Sequence, residues 1–146
     1  MVLARLIEII SGVVFVVAAL LKAFDLQSFA VQIRYYGVLP TYDTIRYAAL
    51  LSIAVETLLG AALLISARLR GLTHISANVM LVVFSGLVLY AWIFHDLKDC
   101  GCFGKVLPLG PMETLVKNAI MLVGLTYAWN KTRKVAPAAP TPSRET

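Results

Sequence analysis

Charge is scarce in this chain. Of 146 residues only 14% are charged, and Asp and Glu together number 8. A soluble globular domain carries about a quarter charged residues. The shortage excludes an ordinary soluble fold of this length. Cysteine is scarcer still, with Cys100 and Cys102 alone in the chain. Two cysteines exclude a disulfide-rich secreted scaffold and leave one possible intramolecular bridge. They also exclude a relay in which a second cysteine pair receives electrons from the first. Lys and Arg number 13, for a formal net charge of +5. No nucleic-acid motif accompanies that excess. Much of it sits at Lys131, Arg133 and Lys134, where it reads as a membrane orientation signal.

What the chain has in abundance is apolar residues, at 60%. At this length there is no soluble core large enough to take them. The expectation is an all-α membrane protein: a four-transmembrane-helix bundle over residues 1–130, with a disordered tail over 131–146. The first span covers residues 6–24 and is read as uncleaved, because no small-residue cleavage site follows it. Glu8, Ser11, Gly12, Phe15, Ala19 and Lys22 recur along it at helical spacing. They form either a packed seam or a helix whose two charged ends snorkel to opposite surfaces.

Asp25 can cap a short amphipathic helix over 25–36, too short to span and suited to the interface. Gly37 and Pro40 end it. The second span, 45–67, carries Glu56 about 16 Å from either end. A carboxylate at that depth calls for a partner or a proton. Ser52, Glu56 and Gly60 share its face. Arg68, Arg70 and His74 read as a basic surface turn. The third span is 75–94, and the fourth, 112–129, opens behind Pro111 and carries Lys117 and Asn118. Lys117, Met121, Gly124 and Ala128 are expected on one face. Each span has one central glycine, Gly12, Gly60, Gly86 or Gly124, where helices can approach closely.

Between the third and fourth spans lies Asp99-Cys100-Gly101-Cys102-Phe103-Gly104. Two thiols one residue apart can close as a strained disulfide, or pass two electrons to a partner through a mixed disulfide. Cys100 and Cys102 are therefore the candidate catalytic residues. A bridge closing so short a loop adds little stability, which weakens a purely structural role. A metal site would need further ligands, such as His95 with Asp96 or Asp99. Lys22, Glu56, Lys117 and Asn118 are polar residues within apolar spans. They are the candidate supporting group and could line a pocket for a membrane quinone below the loop. Four spans put both termini on one side. The Arg68–Arg70 turn and the basic tail favour that side as cytoplasmic, with the dithiol loop outside.

Several of these residues resemble the MauE/DoxX family of redox-associated membrane proteins. They are Leu21-Lys22-Ala23-Phe24-Asp25, with Phe29, Ile33, Tyr36 and Leu39-Pro40; Glu56 with Gly60; Cys100-Gly101-Cys102-Phe103-Gly104; and Lys117-Asn118, where the family usually has Arg-Asn. The resemblance implies a four-helix protein of a bacterial or archaeal inner membrane with an extracytoplasmic thioredoxin-like partner. In the methylamine-utilisation branch, relatives serve maturation of a disulfide-rich periplasmic methylamine dehydrogenase. Relatives in the DoxX branch associate with quinone-linked metabolism. The expected function is membrane thiol–disulfide exchange through Cys100 and Cys102. The alternative is a non-enzymatic anchor or assembly factor for a periplasmic redox enzyme. A transporter using Glu56 as a proton carrier is a third reading, for which four short spans leave little room.

Overall fold

The computed structural model describes residues 2–65, 70–96, 98, 103 and 109–133. Cys100 and Cys102, the Arg68 end of the basic turn and the tail beyond Arg133 lie outside the described residues. Five helices make up the described structure: α1 (Val2–Phe24), α2 (Leu26–Tyr35), α3 (Tyr42–Ile65), α4 (Arg70–His95) and α5 (Pro111–Arg133). No strand occurs among the described residues.

Helix boundaries follow local chemistry. The Asp25 carboxylate accepts a hydrogen bond from the Ser28 backbone N–H at 3.1 Å, so α2 starts with an N-cap as expected. Gly37 ends that segment at φ +69°, and a Cβ there would lie 2.5 Å from the His95 ring. Both the backbone angle and the close approach demand glycine. Asp96 closes α4 in the left-handed region at φ 47°, one of the few residue types that tolerates it. Pro111 begins α5, where its missing N–H costs nothing. The α5 helix runs to Arg133, past the expected boundary at residue 129.

The four long helices run up and down. Arg5 reaches Leu63 and Leu64, and Gly12 lies against Gly60, so α1 and α3 are antiparallel. Asn118 bonds Ser85, while Thr126 lies near Asn78, so α4 and α5 are antiparallel too. Helix α1 packs against α3 and α5, α4 packs chiefly against α5, and α2 lies across α3. Buried positions step by four and three residues along each long helix. In α5 they are Thr114, Asn118, Met121, Leu125 and Ala128; in α4 they include His74, Ala77, Leu81, Val88 and Ala91. This seven-residue pattern is that of left-handed helix packing. Of the α5 face through Lys117, Met121, Gly124 and Ala128, Met121 and Ala128 are buried and Lys117 and Gly124 sit at its margin, while Asn118 and Leu125 complete the inward line.

Burial is inverted relative to a water-soluble bundle. Lys22, Glu8 and Glu56 are 2%, 1% and 4% exposed, whereas Leu58 and Ile65 are 69% and 82% exposed. Apolar surface on that scale needs an apolar solvent, and charges kept inside point the same way. Helices α1, α3 and α4 are each long and apolar enough to cross a membrane. Helix α5 has the length, but among the described residues it does not join those three; Glu113, Lys117, Asn118, Asn130 and Lys131 dilute its apolar character.

The glycines divide into two kinds. A Cβ on Gly60 would meet the Gly12 carbonyl oxygen at 2.9 Å and Val16 at 2.7 Å, and one on Gly12 would meet the Gly60 carbonyl at 3.0 Å. Backbone thus meets backbone where α1 crosses α3. Gly124 lies against Ile7 of α1, where a Cβ would come within 3.1 Å. A Cβ on Gly86 would meet nothing within 4 Å among the described residues, so the expected close approach at the third span is not found there. Gly60→Ala should destabilise the bundle by about 1–3 kcal/mol through overpacking. Gly86→Ala should be neutral or raise stability by up to about 1 kcal/mol through helix propensity. Thermal unfolding of both variants in one detergent checks the contrast.

Candidate functional site

Lys22 lies in the last turn of α1, where a cation complements the helix dipole. Glu56 lies just past the middle of α3. Side chains lean toward the N-terminus of their own helix. In an antiparallel pair the two side chains therefore lean toward each other, and Lys22 Nζ donates directly to Glu56 Oε1. The ammonium also sits over the faces of Phe29 and Phe84, 5.1 and 5.4 Å from the ring centroids. Two aromatic faces and one carboxylate thus replace the water that Lys22 gave up.

Lys22, Glu56, Lys117 and Asn118 line one cavity, together with Phe15, Phe84, Met80 and Met121. The four polar residues singled out in the spans are brought together from three helices. Lys117 is a second positive charge bearing on the Glu56 carboxylate. The Asn118 amide donates to Ser85 Oγ at 3.1 Å, and that hydroxyl donates to the Leu81 carbonyl at 2.7 Å. Glu56 Oε2 is buried with no hydrogen-bond partner among the described residues. It is an acceptor still open to a ligand within the cavity.

The cavity is small, about 30 Å³. That is room for one or two water molecules, against the roughly 300–1,000 Å³ of a typical ligand pocket. The space among these four residues is thus of water size. Phe15, Phe84, Met80 and Met121 form its apolar wall.

Phe103 follows Cys102 in the chain. Its ring packs beside the cluster of Phe29, Ile33, Tyr36, Val88 and Ala91, and Lys117 Nζ lies 5.3 Å from its centroid. Leu109 packs on the same cluster. Phe103 and Leu109, which both follow the cysteines, are thus seated on the bundle at the end opposite Val2 and Arg133. His95 lies beside them, with its ring against Gly37 and 5.6 Å from that of Tyr90.

A second buried polar cluster occupies the other end. Glu8 accepts from Arg5 at 2.9 Å and pairs with His74 Nε2 at 2.9 Å. Arg5 also donates to the carbonyls of Leu63 and Leu64, at 3.0 and 2.6 Å, and so satisfies the open C-terminal turn of α3. His74 was expected on a surface turn. Instead it lies inside α4 and is 1% exposed, because α4 begins at Arg70 and puts His74 on the inward seven-residue register. That register, read back from Ala77 and Leu81, was the available signal. The seam along α1 is realised rather than snorkelling, since Glu8, Ser11, Gly12, Phe15, Ala19 and Lys22 are all buried.

Comparison with known proteins matches residues 1–130 to the family described as "Methylamine utilisation protein MauE". The chain belongs to the MauE family. "Protein TlpB" of Flavobacterium psychrophilum is 27% identical over 127 residues, covering 83% of this chain and 35% of the relative. The chain thus spans about a third of the length of that curated relative. No solved structure matches it. Family membership and the inverted burial together make this a multi-pass helical membrane protein.

Breaking a buried pair leaves one charge without its partner, at a cost of about 3–5 kcal/mol, whereas replacing both partners with apolar residues is often neutral. Lys22→Met and Glu56→Leu should each destabilise the bundle by that amount. The double variant should recover most of the loss. Unfolding of the three variants in detergent, analysed as a double-mutant cycle, checks it.

Proposed function

We propose that this protein is a membrane thiol–disulfide redox protein, working through Cys100 and Cys102 at the membrane face opposite its termini. The observation that carries the reading is the seating of Phe103. The residue next to Cys102 is packed on the bundle and covers Lys117, which ties the cysteine segment to the buried Lys22–Glu56 centre. Membership of a family described by methylamine utilisation supports a place in the maturation of periplasmic proteins of the methylamine dehydrogenase type.

In the exchange, one thiolate attacks a disulfide of an extracytoplasmic thioredoxin-like protein and forms a mixed disulfide. The second thiolate displaces it and closes the Cys100–Cys102 bridge. The partner leaves as a dithiol with two electrons and, after protonation, two protons. The reverse direction oxidises the partner. Helix α5 serves as the fourth span in this reading, with Lys117 and Asn118 turned toward Glu56 rather than toward lipid. The basic residues Arg5, Arg70, Lys131 and Arg133 mark the cytoplasmic side, and the dithiol faces out.

A second reading is a non-enzymatic anchor that docks a periplasmic redox enzyme. The short share of Protein TlpB that this chain covers favours it, because such a region can act as the membrane part of a larger assembly. Serine variants separate the two. Whichever of Cys100→Ser and Cys102→Ser removes the resolving thiol should hold a partner as a mixed disulfide, visible on non-reducing gels after acid quenching, and the double variant should hold none. A double variant with full function and no trapped partner from either single variant would leave the anchor reading. An impermeant maleimide applied to intact cells should label the reduced dithiol.

A further inference from the structure

The up-and-down arrangement brings the start of α1, the start of α4 and the end of α5 to one end of the bundle. Between them runs an open groove of about 480 Å³, lined by the apolar Val2, Leu6 and Ile9 and by the cationic Arg5, Arg70 and Lys131. Its size falls within the range of small-molecule sites. Its charge is unbalanced, with three cations facing the single carboxylate of Glu8.

These cations are not equivalent. Arg5 is committed to Glu8 and to the carbonyls that end α3. Arg70 Nε is buried and has no hydrogen-bond partner among the described residues. Lys131 extends from the last turn of α5, exposed, with its ammonium 5.8 Å from the Tyr127 ring. A buried guanidinium N–H without an acceptor is costly, and an anion relieves that cost. Val2 and Leu6 are exposed beside it on a helix apolar enough to cross a membrane.

We infer that this groove binds an acidic phospholipid of the surrounding bilayer. The phosphodiester sits between Arg70 and Lys131, and an acyl chain lies along Val2, Leu6 and Ile9. The occupant follows from complementarity: an anion alone would leave the apolar wall uncovered, and a zwitterionic lipid would bring a second cation to a cationic site. Basic pockets between membrane helices recognise anionic head groups by this chemistry, each Lys or Arg adding about fivefold in affinity. The inference does not depend on the cysteines.

Native mass spectrometry of the full chain in detergent, titrated with phosphatidylglycerol and in parallel with phosphatidylcholine, tests it. Wild-type protein should retain phosphatidylglycerol preferentially. Arg70→Gln and Lys131→Gln should each lower that retention about fivefold, and together about thirtyfold, with phosphatidylcholine unchanged. Arg70→Lys should keep most of it. Lys131 is exposed, so its variant tests the site even if Arg70→Gln fails to fold. Lys98→Gln, at the opposite end, should have no effect. Equal retention of the two lipids, or a Lys98 effect as large as that at Lys131, would overturn the proposal. So would displacement of the lipid by an equal concentration of glycerol 3-phosphate, which would make the ligand a soluble organophosphate.

Discussion

The buried ion pair between Lys22 and Glu56 is the constraint that the bundle is arranged around. Neither charge can be left alone in an apolar medium, so α1 and α3 must meet in one register. That register sets the crossing at Gly12 and Gly60, where backbone touches backbone. It also places Arg5 under the end of α3, where it closes the open carbonyls and holds Glu8. Polar contacts therefore fix the α1–α3 pair at both ends, and small residues fix it in the middle. Helix association in lipid depends on such contacts because burying apolar surface gains little there.

The same polarity organises the two ends differently. At the end carrying α2, the cation of Lys22 is enclosed by Phe29 and Phe84, while Phe103 covers Lys117. Charge there is roofed by aromatic rings and kept from lipid. At the end carrying Val2 and Arg133, Arg70 and Lys131 face an open groove. One end is suited to holding a reactive segment above a shielded charge, and the other to meeting anionic head groups. A redox reading of the cysteines and a lipid reading of the basic groove thus occupy opposite faces and do not compete for residues.

Much of the helical plan was legible in the sequence, because each signal was local. Asp25 caps α2, Gly37 and Pro40 end it, Pro111 opens α5, and the stripe from Glu8 to Lys22 faces inward. Two expectations miss for a common reason. The two arginines before His74 suggest a turn, whereas the inward register of α4 reaches back to it. Gly86 suggests a close helix contact, but among the described residues a Cβ there would meet nothing within 4 Å. Each depends on which neighbour a helix meets, which spacing along one chain segment does not contain.

The sequence by itself determined that the chain is helical and apolar outside, that its charges within the spans must be paired, and that its only thiols stand side by side. These follow from composition and from the cost of bare charge in lipid. Only the tertiary structure decided that Glu56 takes Lys22 and that Glu8 takes Arg5 and His74 as partners. It also decided that the space among Lys22, Glu56, Lys117 and Asn118 is of water size. Pairing and cavity size are set where side chains from different helices lean together, and that is a property of their register and packing.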